Sequence, residues 1–254
     1  MVSAGLRFER VSKTFTTHSG PVQALDDITL DVAPASFTAV VGPSGCGKST
    51  LLHIAAGLDT QYGGSFRRTP EEATSGVLFQ TPRLLQWLNV ERNIAFVLET
   101  RGWSKPSARE RAGAMLDIVG LRSFAKKFPS QLSGGMQQRV ALARALAVDP
   151  SCLLMDEPFS ALDELTAREL REELVDLHSK GERTILFITH HIYEACFLSD
   201  RIVVLSAGPG RVVADITIPV PRPRRYDDPR LTELAAEVLS HIERRTRDLE
   251  VNNS

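Results

Sequence analysis

One stretch constrains this chain more than any other: Gly42-Pro43-Ser44-Gly45-Cys46-Gly47-Lys48-Ser49-Thr50. Before it comes Phe37-Thr38-Ala39-Val40-Val41, a short apolar run that reads as a buried strand. After it comes a helical pattern from Ser49 to about Gly57, a residue able to end a helix. Glycines let the backbone fold so that successive N–H groups point inward as an anion nest. The helix adds the positive end of its dipole. A lysine at this place reaches phosphate oxygens as a point charge, and the next hydroxyl can ligate a divalent cation. The spacing G-x-x-x-x-G-K-[ST] between a strand and a helix therefore predicts a phosphate-binding loop.

The rest of the chain is read around that loop. Leu6, Phe8, Leu25, Ile28, Leu30 and Val32 alternate with polar residues and predict antiparallel strands joined across residues 16–21. Residues 60–74 are polar and Gly-rich, so they read as loop or a short edge hairpin, and residues 76–79 as a strand. From about 90 to 148 the periodicity is helical, which predicts a helical lobe inserted into the sheet domain. Strand and helix patterns then alternate over 152–155, 165–178, 184–189, 192–198 and 202–205, as in a parallel core. Residues 207–210 form a turn into a strand at 211–218, residues 219–223 a proline-rich linker, and about 229–247 a last amphipathic helix.

Of 254 residues, 24% are charged, and the formal net charge is -1, so no global basic field argues for nucleic acid. No apolar run approaches the roughly 18 residues of a membrane span. The opening MVSAGLRFER lacks the apolar core of a signal peptide, so a cytosolic location is the default. Cys46, Cys152 and Cys196 form no C-x-x-C pair and read as free thiols. Because Cys46 lies inside the phosphate loop, a thiol reagent is expected to inhibit and nucleotide to protect.

A second pair of groups follows the apolar run at 152–155: Asp156-Glu157. In open parallel sheets, ligands sit at the carboxyl ends of strands. Asp156 is placed to hold Mg²⁺ through its water shell, and Glu157 to orient or deprotonate an attacking water.

Leu132-Ser133-Gly134-Gly135-Met136-Gln137-Gln138-Arg139 resembles the signature motif of ATP-binding cassette (ABC) ATPases. The resemblance runs from about Leu6 to Arg225 and takes in the loop at 42–50, Asp156-Glu157, Gln80, Ser160-Ala161-Leu162-Asp163 and His190. It implies an α/β fold: a P-loop NTPase (RecA-like) parallel core with an N-terminal antiparallel β part and an inserted helical lobe. The expected divisions are 1–88, the core with its β subdomain; 89–148, the helical lobe with the signature; 149–218, the rest of the core; and 219–254, linker and C-terminal helix. It implies ATP and Mg²⁺ as cofactors, with Phe15 stacking on adenine, Gly42 to Thr50 holding the phosphates, and Ser49, Gln80 and Asp156 serving the metal. Glu157, His190 and Gln80 are the implied catalytic groups. Ser133, Gly134 and Gly135 would close on the γ-phosphate held by a second ATP-binding subunit, so a homodimer is expected. Met136 stands where the family usually has Gln, and His191 where an Asp commonly follows the histidine.

An ABC ATPase without membrane spans needs integral-membrane permease subunits. Residues 81–90 resemble the region that receives a permease helix, with Leu84, Leu85 and Trp87 as exposed apolar anchors. The segments at 159–163, 205–212 and 219–225 are similar to an importer branch that handles taurine and other sulfonates, nitrate, bicarbonate and some pyrimidine precursors. The resemblance therefore implies a motor at the cytoplasmic face of the cell membrane, working indirectly with a periplasmic or lipid-anchored solute-binding protein. Taurine or an alkanesulfonate is the first expectation for the solute and nitrate the second; a soluble, non-transport ABC ATPase is the competing reading. Arg222, Arg224, Arg225, Arg244, Arg245 and Arg247 are read as a solvated linker and helix face, with anionic lipid headgroups as the alternative.

Overall fold

The computed structural model of the chain describes residues 3–180 and 183–252, with the side chains of all of these except Lys180 and residues 244–252. In chain order the elements are β1 (Gly5–Thr17), β2 (Gly20–Val32), β3 (Phe37–Val41), α1 (Lys48–Ala55), β4 (Gly63–Thr69), β5 (Ser75–Leu78), α2 (Val90–Glu99), α3 (Lys105–Ile118), α4 (Gly134–Ala147), β6 (Cys152–Asp156), α5 (Glu164–Lys180), β7 (Thr184–Thr189), α6 (Ile192–Leu198), β8 (Arg201–Leu205), β9 (Val212–Thr217) and α7 (Pro229–Asn252). They fall into two compact units, one of residues 74–180 and one of residues 3–73 with 183–252.

In the second of these units, β1 and β2 pair antiparallel with Leu6 opposite Val32 and Phe8 opposite Leu30, all four buried. That is the alternation the sequence displays. On the other edge of β1 lies β4, which makes the sheet order β2-β1-β4 and brings Phe66 onto Phe8 with ring centres 4.8 Å apart. Residues 63–69 are thus a full third strand where the sequence suggested a loop or hairpin. Their polar outer face is solvated, so no apolar run announced them. β3 is buried along its whole length and pairs parallel with β7 on one side and β8 on the other. A strand covered on both faces must be apolar throughout, as Phe37–Val41 nearly is. β9 closes the edge antiparallel to β8.

Two of the C-terminal arginines of this unit, Arg222 and Arg224, are half-buried rather than solvated. Arg224 Nη1 donates to the carbonyls of Cys196, Phe197 and Ser199 at 2.9, 2.9 and 2.7 Å. Arg222 donates to the Leu198 carbonyl and pairs with Asp200. Together they satisfy the carbonyls at the C-terminal end of α6, which carry its negative dipole end. Tyr226 stacks on Phe197 at 4.0 Å and fastens the segment from the other side. Arg225 pairs with Asp227; the side chains of Arg244, Arg245 and Arg247 lie outside the described ones.

In residues 74–180, β5 and β6 pair parallel, Ser75 opposite Cys152 and Leu78 opposite Met155. The helices bury one stripe each: Ile94, Ala95 and Leu98 of α2; Ala108, Ala112 and Leu116 of α3; Val140, Ala143 and Leu146 of α4. Asn89 caps α2 through the Arg92 N–H, and Ser104 caps α3 through the Ser107 N–H. Gly76 is required where β5 meets α4: a Cβ there would lie 2.5 Å from the Ala145 carbonyl oxygen. Among the described residues no helix is long and apolar enough to cross a membrane.

Candidate nucleotide site and its catalytic groups

The phosphate loop runs from β3 into α1, as its spacing predicts. Gly47 is the N-cap of α1 with φ of 90°, and a Cβ on it would lie 2.5 Å from the Ala24 carbonyl oxygen, so only glycine fits. No side chain caps α1, so its first N–H groups are available as a nest for an anion. Lys48 is buried and its Nζ donates to the carbonyls of Gly42 and Pro43, both at 2.8 Å. The ammonium is thereby held across the loop, while Ser44, Gly45 and Ser49 are exposed and Pro43, Gly47 and Thr50 half-buried. Cys46 is fully buried, and burial pushes its thiol above the ordinary range. The same unit carries Phe15 near the end of β1, 40% exposed, which excludes a role as a core residue of the sheet. Lys13 Nζ sits 4.8 Å from the Phe15 ring centre and is fixed by Asp59 Oδ1 at 2.8 Å and the Gln61 carbonyl at 2.6 Å.

His190 follows β7 and is exposed, its ring 4.1 Å from that of His191. The turn is organised by Thr189: its hydroxyl donates to Glu194 Oε2 at 3.0 Å and accepts the His191 N–H at 2.9 Å.

In residues 74–180, Asp156 ends β6 with 5% exposure, and Glu157 turns out of the strand with φ of 45°. A left-handed non-glycine residue costs on the order of 1–3 kcal/mol and persists where the surroundings impose it, often at functional sites. The Glu157 carbonyl accepts from the Ser160 N–H and hydroxyl, and its Oε2 accepts from Gln80 Nε2 at 3.0 Å. Gln80 and Glu157, 77 residues apart in sequence, are therefore in direct contact. Ser133 is the N-cap of α4 through the Met136 N–H, and it and Gly134 are exposed at the open end of that helix. Gly135 packs towards Leu162 of the 160–163 segment; a Cβ on it would be 3.0 Å from Leu162 Cδ2. Asp163 accepts the Thr166 N–H as a helix cap, which holds its carboxyl below the usual range.

The segment after Gln80 differs from expectation. Trp87 is exposed at 74%, but Leu84 is 7% exposed and Leu85 half-buried. The apolar surface there is mainly Trp87. Sequence reasoning missed the reason: Asn93, itself 1% exposed, accepts the Leu85 N–H and donates to the carbonyls of Leu85, Leu88 and Asn89, pulling the segment against α2. Gln138 and Arg144 of α4 were missed too. A polar residue on the buried stripe of a helix was the available signal.

Parallel strands around a phosphate loop, a helical lobe opening with Ser133-Gly134-Gly135, and a carboxylate pair after β6 define a nucleotide-hydrolysing cassette with the P-loop NTPase fold. The ABC transporter family model matches residues 25–160, more than half of the chain. An uncharacterized ABC transporter ATP-binding protein of Methanocaldococcus jannaschii is 44% identical over 240 residues, 92% of this chain and 90% of that protein. The aliphatic sulfonates import ATP-binding protein SsuB of Bacillus cereus is 42% identical over 238 residues, 92% of this chain and 94% of that one. Among solved structures, the dimeric post-hydrolysis state of the ATP-binding cassette MJ0796 bound to ADP and Pi matches with a TM-score of 0.77 and 31% identity, covering 85% of this chain and 99% of that one. The chain belongs to the ABC transporter family, as an ATP-binding cassette; it is an ATPase.

Proposed function

We propose that this cassette is the motor subunit of an importer, taking up an aliphatic sulfonate such as taurine through separate permease subunits. The observation that carries the motor reading is Lys48, held by two loop carbonyls beside the uncapped N-terminus of α1. Lys48 and the loop N–H groups bind the β- and γ-phosphates, and Phe15 stacks on adenine with Lys13 behind its ring. Ser49 in one unit and Asp156 in the other each offer a hard oxygen of the kind that Mg²⁺ takes. Among the described residues no group of three or more His, Cys, Asp and Glu side chains could hold a metal by itself. That suits an ion that keeps several waters and takes phosphate oxygens as ligands. Bound Mg²⁺ would supply charge neutralisation at the phosphates; Glu157, bonded to Gln80, would take or direct the proton of the attacking water, and His190 is the further candidate for orienting it.

Ser133 and Gly134 are exposed, and with the N–H groups of Gly134 and Gly135 they serve a nucleotide bound by a second copy. Two copies arranged head to tail give two equal sites. The solute assignment rests on the sulfonate importer relative and on the segments at 159–163, 205–212 and 219–225; nitrate is the next solute to try. The cassette then works at the cytoplasmic face of the membrane, with Trp87 the exposed aromatic towards the permease.

The test uses Glu157→Gln in the purified full chain. It keeps ATP binding, loses turnover by about 10²–10⁴, and elutes as a dimer with ATP. A variant that stays monomeric with ATP bound refutes the two-copy site. Reconstitution with the permease and binding protein that co-purify, followed by ATPase assays with taurine, an alkanesulfonate and nitrate, decides the solute.

A further inference from the structure

Three backbone carbonyls flank Gln80, and all three are held by side chains of α4. Gln138 Nε2 donates to the Phe79 carbonyl at 3.2 Å. Arg144 Nη2 and Nη1 donate to the carbonyls of Pro82 at 2.8 Å and Arg83 at 2.9 Å. Gln80 in turn donates to Glu157.

Both α4 side chains are costly for what they hold. Gln138 is 2% exposed, and its Oε1 is buried with no hydrogen-bond partner. An unmatched buried amide oxygen costs on the order of 1–3 kcal/mol, so a leucine there would serve stability as well or better. Burial lowers the Arg144 guanidinium from its ordinary range, and among the described residues no carboxylate pairs with it. Its donors go to backbone carbonyls whose positions set where Gln80 starts and ends. The segment is also closed on itself: Arg83, at φ of 47°, lays its guanidinium 4.1 Å from the Phe79 ring centre. A flexible loop after β5 needs none of this.

We infer that Gln138 and Arg144 are positioning residues for the hydrolytic carboxylate: they hold the main chain on both sides of Gln80, and through the Gln80–Glu157 hydrogen bond they set where Glu157 points. α4 is the helix that opens with Ser133-Gly134-Gly135, so the end that meets a second nucleotide and the side chains that aim Glu157 belong to one rigid element. The inference rests on the reading of Glu157 as the group that directs water.

The experiment is a double-mutant cycle in the purified full chain. Gln138→Leu and Arg144→Met are each made alone and on Gln80→Ala. Single-turnover ATP hydrolysis is followed with enzyme in excess, so that slow variants still give a rate. Each single variant is expected to lower the rate about tenfold, the scale of coupling between neighbouring groups, with ATP affinity changed less than about twofold and Gln138→Leu melting no lower than the parent. On Gln80→Ala, neither substitution lowers the rate further. Equal losses with and without Gln80 mean a merely structural role and overturn the inference, as does an unchanged rate in both single variants. Glu157→Gln separates the two levels: if it turns over normally, the catalytic reading fails; if it is inactive while the cycle shows equal losses, only the positioning role falls.

Discussion

Cys46 lies beneath Lys48, with Sγ 3.8 Å from Nζ. The thiol faces the underside of the loop, where it is fully buried and its ionisation is suppressed by desolvation despite the nearby ammonium. This changes what a thiol reagent will find. Reaction requires the thiolate, so labelling of the native protein at neutral pH is expected to be slow and to quicken as pH rises beyond the usual thiol range. Cys152 and Cys196 are buried as well, the latter pushed up to about 11 by burial. Counting maleimide adducts by mass before and after denaturation checks this: almost none in the native chain, three in the unfolded one. Rapid labelling of native Cys46 at neutral pH contradicts its burial.

Lys48→Ala removes the ammonium that the Gly42 and Pro43 carbonyls hold. Charge-assisted hydrogen bonds to phosphate are worth about 1.5–3 kcal/mol, so the dissociation constant of ATP should rise by about one to two orders of magnitude, while that of adenosine should not change. Titration calorimetry with both ligands reads the difference.

Asp59 is held below the usual carboxylate range by its bond from Lys13, helped by the Gln61 N–H. A carboxyl whose folded value is depressed adds stability that is present above its unfolded value. That stability is lost as pH falls through the folded one. Asp59→Asn should therefore narrow the gap between the melting temperatures at pH 7 and pH 3, and should loosen Lys13 behind Phe15. An unchanged gap would show that the pair does not support the fold.

Arg224 spends its Nη1 donors on three carbonyls at the end of α6, where burial, with Arg222 beside it, lowers it to about 10. Arg224→Ala should cost about 2–3 kcal/mol of unfolding free energy, measured by urea denaturation. Binding to anionic vesicles should be the same as in the parent, because this guanidinium already has its partners. A large loss of vesicle binding would restore the lipid reading.

What could be read from the sequence was local. The phosphate loop is nine consecutive residues whose chemistry is mostly backbone N–H, so glycine spacing, one lysine and one hydroxyl identify it. Asp156 and Glu157 follow an apolar strand directly, and Ser133 caps a helix that begins one residue later. Leu84 was misplaced as an exposed anchor because an apolar residue in a turn looks the same in sequence whether it faces solvent or, as here, is folded inward while Asn93 holds the main chain of the next residue, Leu85.

The chain's sequence alone thus determined the strand–loop–helix from β3 to α1, the helix opening at Ser133 and the carboxylates after β6, because each is written in neighbouring residues. Only the tertiary structure decided that Cys46 is sealed under Lys48, that Arg224 closes α6, and that Gln138 and Arg144 hold the chain around Gln80. Gln138 and the Phe79 carbonyl are 59 residues apart, Arg144 and the Pro82 carbonyl 62. A main-chain carbonyl is the same acceptor at every position, so nothing in the sequence of 79–83 marks which side chain will come to it; only the packing of α4 on β5 makes that choice.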